Sequence, residues 1–217
     1  MEEREEEVDA PPFAPHPHPS LHLIPNARIT TYNVNSFSSY GTDANSKARR
    51  DNISTNCRAL KQISDIVCFQ ETHLRANDRF AASSIFKGWT LLYNNADGRQ
   101  GTLMAISPVI SNNYSIQIID LGDVPKGRLQ AVRFTPKNVN SALLPFQLFN
   151  VYFPTGGTRL SARRVTCFDA LNAIPPCRHT FMVGDFNFIE NLDDSINSEL
   201  STLSNTAKVS WQRLLGT

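Results

Sequence analysis

Phe181-Met182-Val183-Gly184-Asp185-Phe186-Asn187 is an apolar run that stops on Gly-Asp-Phe-Asn. A short apolar run bounded by turn residues reads as a buried strand. Its end delivers a carboxylate and a carboxamide, at positions 185 and 187, to one side of a turn. Two similar strand ends lie upstream, at Thr31-Tyr32-Asn33-Val34-Asn35 and Val67-Cys68-Phe69-Gln70-Glu71. A chain that finishes three apolar strands on acid and amide groups is constrained to a sheet architecture whose strand ends line one polar site. Oxygen donors of that kind suit a hard cation and a phosphate.

The 217 residues suffice for one sizeable core and fall short of two independent domains. A hydrophobic content of 41% with 13 phenylalanines favours a globular chain over a disordered one. The net charge of +1 hides an asymmetry. Residues 1–28 hold six acids against Arg4 and Arg28, a balance of −4, which leaves 19 basic and 14 acidic residues, or +5, for the rest. This mild basic excess is compatible with a polyanionic partner but is weak evidence for one, and on charge alone an ordinary solvated surface is the favoured reading. Cys57, Cys68, Cys167 and Cys177 show no C-x-x-C spacing, so reduced thiols are expected rather than disulfides or a zinc site. No secretory signal and no bilayer-length apolar stretch is read. An intracellular location is expected, with nucleus and cytoplasm not distinguished.

Residues 1–27 combine a glutamate cluster with six prolines and read as a disordered leader. The folded region is expected over 28–217, where strands alternate with occasional helices. Strands are predicted at 28–34, 65–70, 89–94, 101–107, 115–121, 128–135, 145–152 and 179–184. Helices are predicted over 46–63, where Ile53, Cys57, Leu60 and Ile63 recur at helical spacing, over 159–173, and over 197–215. The pattern predicts an α/β sandwich whose sheets are covered by helices.

Glu71 follows an apolar strand and is a candidate metal ligand; the alternative is a surface glutamate capping a helix that starts near Thr72. Asp185 has the same two readings, with Gly184 and Asn187 fitting a tight turn. Asn33 and Asn35 are expected on one face of their strand, as alternate residues. Asn150 and Tyr152 form another alternate pair at a strand end stopped by Pro154. Tyr152 reads either as a donor to a phosphate oxygen or as an amphipathic core residue. Gly156-Gly157 with Arg159, Arg163 and Arg164 reads as a phosphate-facing loop and helix start or as a solvated turn. No P-loop, dinucleotide fingerprint or Ser/His/Asp elbow is present.

In order, Asn33-x-Asn35, Gln70-Glu71-Thr72, Gly101-Thr102-Leu103, Gly127-Arg128, Asn150-x-Tyr152-x-Pro154 and Gly184-Asp185-x-Asn187 resemble the endonuclease/exonuclease/phosphatase superfamily with its DNase-I-like fold. The resemblance is nearest to the apurinic/apyrimidinic-endonuclease-like domains of LINE-type retrotransposons. It covers residues 28–215, about three-quarters of such a domain, and implies a four-layer αββα sandwich. It further implies that Glu71 ligates Mg²⁺ (or Mn²⁺) with Asn35 beside it, and that Asn33 orients both. By the same resemblance Tyr152 contacts the scissile phosphate, Asp185 orients or deprotonates the attacking water, and Asn187 holds phosphate oxygens. Asn150, Arg128 and Arg159 fall on the substrate-binding side. The implied activity is metal-assisted phosphodiester hydrolysis on DNA, with no membrane partner.

Two departures from the family pattern stand out. Thr155 occupies the place of an asparagine that usually follows the Tyr-x-Pro segment. The closing Ser-Asp-His segment is not found before Thr217, so the sequence predicts an incomplete second sheet, impaired activity, and a monomer or an aggregation-prone fragment. The alternatives are another superfamily phosphodiesterase or phosphatase, acting on phosphoinositide, sphingolipid or RNA, and a non-catalytic fragment.

Overall fold

The computed structural model describes residues 27–37, 44–75, 79–96, 100–122, 124, 126–154, 161–175, 177–188 and 203–216. Along the chain run β1 (Ile29–Asn33), α1 (Ala44–Ile63), β2 (Ile66–Gln70), α2 (Arg79–Ile85), β3 (Thr90–Ala96), β4 (Gln100–Ile106), α3 (Pro108–Asn113) and β5 (Tyr114–Ile119). They are followed by β6 (Leu129–Pro136), β7 (Phe146–Tyr152), α4 (Ser161–Asn172), β8 (Thr180–Asp185) and α5 (Asn205–Leu215). The predicted strands are all present within about two residues at each end. The α3 turn has no sequence-based counterpart; Pro108 opens it behind an extended Ser107, where a missing N–H costs nothing. The last helix begins at Asn205, capped by the Ser204 hydroxyl accepting from the Ala207 N–H; of the predicted start, Leu203 and Ser204 are not helical and 197–202 lie outside the described residues.

The strands form two sheets, β1-β2-β4-β3 and β5-β6-β7-β8. In each sheet one pair is parallel, β1 with β2 and β7 with β8, and the other neighbours are antiparallel. Parallel neighbours need a crossover, and the sequence supplies α1 between β1 and β2 and α4 between β7 and β8.

Alternation along the strands sorts the core into three layers. Ile66, Cys68, Met104 and Ile106 of the first sheet meet Val132, Phe134, Phe146 and Leu148 of the second between the sheets. Val67, Phe69, Leu103 and Ala105 face the other way, onto Ile53 and Cys57 of α1 and Phe86 beyond α2. Ala131, Phe149 and Val151 bury themselves under Phe168 of α4 and Trp211 of α5. Each fully buried large side chain here contributes about 1.5–3 kcal/mol of transfer free energy. The result is the predicted helix–sheet–sheet–helix sandwich. Among the described residues β8 pairs only with β7, and Phe181 on it is 36% exposed. No described helix is long and apolar enough to cross a membrane.

Candidate active site

The two parallel pairs end at the same corner of the sandwich. The parallel register sets Asn33 beside Gln70, so that Glu71 is the next residue out, and it sets Tyr152 beside Asp185. Ligands in α/β sheets collect at the carboxyl ends of such strands, where connections leave the sheet. Gly184 makes the second pair close enough. Its φ is +139°, and a Cβ there would stand 2.0 Å from the Val151 carbonyl oxygen.

Asn33 joins the two sheets. Its Nδ2 donates to Glu71 Oε1 at 3.0 Å and to Asp185 Oδ2 at 2.9 Å, drawing both carboxylates to one nitrogen. Its Oδ1 accepts from the Asn35 N–H at 3.0 Å. Asp185 repeats that turn in the other sheet, Oδ1 accepting from the Asn187 N–H at 3.2 Å. Both are side-chain-to-backbone turns spanning two residues. This corrects the reading of Asn33 and Asn35 as alternate residues on one strand face. β1 stops at Asn33, and Asn35 sits off the strand with φ +46°.

Left-handed backbone concentrates here. Among the described residues the non-glycine positions with positive φ are Asn35, Ser36, Glu71, His73 and Asn187. All lie on the loops that leave β1, β2 and β8 at this corner. Such conformations cost of order 1–3 kcal/mol each and gather at functional sites. Residues 71–75 are irregular, so Glu71 does not cap a helix at Thr72.

Tyr152 is 8% exposed, and its phenol shares the corner with the Glu71 carboxylate. Burial raises its pKa above the ordinary phenol value, Glu71 adds to the rise, and Arg128 opposes it. The Arg128 guanidinium lies 4.3 Å from the centre of the Tyr152 ring. His73, which fits none of the sequence motifs, belongs to this corner. Burial lowers its pKa; Glu71 opposes this, while Arg49 and Arg128 add to it. Arg49 reaches in from α1 to donate to the Asn35 carbonyl. Sequence reasoning had no signal for Arg49, because a helical arginine with this reach looks like any solvated one.

Asn150 requires a second correction. It is 0% exposed, and its amide is consumed between the sheets. Oδ1 accepts from Gln70 Nε2 at 2.7 Å, while Nδ2 faces the Phe69 and Leu103 carbonyls at 3.2 and 3.3 Å and Gln130 Oε1 at 3.1 Å. A buried amide so fully partnered fixes the platform below Tyr152 and has nothing left for a substrate. Asn187 stands at the corner, with Nδ2 donating to the Phe153 carbonyl at 2.9 Å. Arg164 is buried rather than solvated or phosphate-facing. Its Nε donates to Pro154 O at 2.8 Å and its guanidinium to Asn187 O at 3.2 Å, which ties the ends of β7 and β8 together. Arg159, Thr155 and Gly156-Gly157 lie outside the described residues. His179 sits at the opposite end, just before β8.

The donor set discriminates between metals. No group of three or more His, Cys, Asp or Glu side chains is gathered among the described residues, which does not fit a closed zinc site. Two hard carboxylates, Glu71 and Asp185, held on one amide and open to solvent fit a cation that keeps most of its waters, as Mg²⁺ does.

Residues 30–215 match the Endonuclease/Exonuclease/phosphatase family model, and the chain belongs to that family. Its members are nucleases, phosphodiesterases and phosphatases. Among solved structures, an AP endonuclease from Archaeoglobus fulgidus superimposes with a TM-score of 0.59 at 19% identity, over 88% of this chain and 70% of that one. A 3'-5' exonuclease from Neisseria meningitidis does so at 0.53 and 22% identity, over 87% and 70%. A truncated TDP2 from Caenorhabditis elegans gives 0.50 and 16%, over 82% and 66%. At these identities the likeness establishes the fold. No curated protein matches the chain.

Proposed function

We propose that this chain is a divalent-metal-dependent phosphodiester hydrolase acting on DNA, of the retroelement-endonuclease type. The observation that carries the reading is the Asn33 amide holding Glu71 and Asp185 on one nitrogen. Glu71, with Asn35 beside it, would hold Mg²⁺ or Mn²⁺, and the bound ion would neutralise phosphate charge and favour ionisation of a water. Asp185 is fixed by Asn33 and by the Asn187 N–H, so its carboxylate is aimed to accept a proton from that water. Tyr152, kept protonated by burial and by Glu71, can donate to a phosphate oxygen. Arg128 and Asn187 flank the space where that phosphate sits.

DNA is favoured over other phosphodiesters by the Gly184-Asp185-Phe186-Asn187 form, by Asn35, and by the cationic rim of Arg49 and Arg128. The Archaeoglobus relative is an AP endonuclease, and a Neisseria 3' phosphatase of the same fold is seen with a product DNA hairpin.

Nicking of supercoiled plasmid tests the proposal. Mg²⁺-dependent nicking that EDTA abolishes is expected, with Glu71→Ala and Asp185→Ala each lower by about 10²-fold or more. Nicking that survives both substitutions would overturn the site, and hydrolysis of inositol phosphates in preference to DNA would overturn the substrate.

A further inference from the structure

Arg128 is held over Tyr152 from both sheets: its own strand neighbour Tyr152 accepts from the guanidinium at 3.5 Å through its carbonyl, and the opposite sheet fixes the turn that carries it. The turn before β6 is held by two side chains of the hairpin formed by β3 and β4. Asn94 bonds it through both polar atoms of its amide, Oδ1 accepting from the Gly127 N–H at 3.0 Å and Nδ2 donating to the Leu129 carbonyl at 2.7 Å. Gln100 Nε2 donates to the Lys126 carbonyl at 2.7 Å. These bonds bracket Arg128 on both sides in sequence. Gly127 adds steric closeness, with φ +79° and space for a Cβ only 3.0–3.1 Å from Gln100 and Gly101. Beyond the turn, the Tyr152 N–H donates to the Arg128 carbonyl at 2.8 Å, and the guanidinium covers the Tyr152 ring.

We infer that Asn94 is a positioning residue that acts through the Gly127–Leu129 turn to set Arg128 above Tyr152. A flexible arginine next to a glycine turn has many rotamers and a mobile base; anchoring the backbone on both sides removes the second freedom. Both polar atoms of the Asn94 amide are bonded to the backbone of this turn, one on each side of Arg128. Because those bonds fall on the two neighbours of Arg128, the effect of Asn94 on chemistry is exerted through Arg128. The inference deepens the proposed function and rests on it only where Arg128 is taken to meet DNA phosphate.

The test uses the full chain and two readouts. The first is nuclear magnetic resonance of the Arg128 side-chain protons, which the Tyr152 ring displaces upfield. Asn94→Leu is expected to lose that displacement to the level of Tyr152→Leu, while the stacked Phe134 and Phe146 rings, 4.3 Å apart in the inter-sheet core, keep their own signals. Retention of the Arg128 displacement in Asn94→Leu would overturn the inference. Should Asn94→Leu lose the Phe134 and Phe146 signals, Gly127→Ala and Gln100→Met decide the matter, since each disturbs the same turn from its surface. Unchanged Arg128 signals in both would overturn it equally.

The second readout is binding of a labelled DNA duplex in EDTA as a function of salt. Arg128→Met and Asn94→Leu are each expected to flatten the log–log slope by about one unit, and the double variant no further. An additive double variant would show that Asn94 does not work through Arg128. Absence of DNA binding in the natural chain would count against the proposed function, with the resonance readout still deciding the role of Asn94.

Discussion

Nδ2 of Asn33 lies 2.9 Å from Oδ2 of Asp185, although 152 residues separate them in the chain. The same nitrogen reaches Glu71 Oε1 at 3.0 Å, so one exposed amide spaces the two carboxylates on which the proposed chemistry depends. Asn33→Ala releases both. An orienting partner of this kind is worth about 10- to 100-fold in metal affinity or rate. Its exposure makes the cost to stability small, within about 0.5 kcal/mol. Plasmid nicking across a Mg²⁺ titration, with urea unfolding of the same variant, checks both halves. Full activity in Asn33→Ala would remove the amide bridge from the mechanism.

Gly184 brings Asp185 to its place. Any Cβ at this position meets the Val151 carbonyl at 2.0 Å on a backbone with φ +139°, and neither strand can yield without parting β7 from β8. Gly184→Ala is expected to cost about 3 kcal/mol or more. Because Asp185 is the next residue, activity falls below what the unfolded fraction alone explains. A urea midpoint within error of the natural chain would mean that the strands can separate freely there.

Asn150 lies one layer below. Replacing it with leucine leaves Gln70 Nε2, Gln130 Oε1 and the Phe69 and Leu103 carbonyls short of a partner between the sheets. Each such orphan costs about 1–3 kcal/mol, and relaxation of neighbours recovers part of the sum. A net loss of about 2–4 kcal/mol is expected, read as a lower urea midpoint at unchanged slope. Substrate affinity per folded molecule should hold, since Asn150 touches none. A selective loss of DNA binding with normal stability would restore the substrate role that its motif position implies.

These three residues also show what the sequence discloses. The strands and longer helices were legible because apolar alternation and helical spacing are local, whereas the parallel pairing of β1 with β2 and β7 with β8 is set by contacts distant in sequence. Glu71, Asn33, Tyr152 and Asp185 were legible as a group because strand ends repeat one chemical theme. Their geometry was not. The two-residue spacing of Asn33-x-Asn35 and Asp185-x-Asn187 looks like strand alternation, yet it reports a turn closed by a side chain. Asn150 fits strand alternation well, and that same alternation aims it between the sheets. Burial and partner choice are set by contacts between sheets, so no local pattern could tell Asn150 from Asn33. Arg49 and Asn94 act on residues distant in sequence and leave no motif.

The cysteines give the last prediction, with its sign fixed by burial. Cys57 is pushed up to about 12 and Cys167 up to about 11 by desolvation, against an ordinary 9.0, and Cys68, wholly buried, is raised as well. All four thiols are free, and Cys177 alone is half-exposed. At pH 8 a thiol reagent should therefore modify Cys177 at once and the other three only as the chain opens, since the thiolate is the reacting form. The folded protein keeps protons that the unfolded chain releases between about 9 and 12, so folding releases none there and opening releases several. Stability is full below pH 9 and falls as pH rises through the folded values. Urea midpoints measured from pH 8 to 10.5 should decline, and Cys57→Ala, which removes one titrating thiol, should flatten the decline. Immediate reaction of more than one thiol at pH 8 would mean that the layers enclosing Cys57, Cys68 and Cys167 open without unfolding.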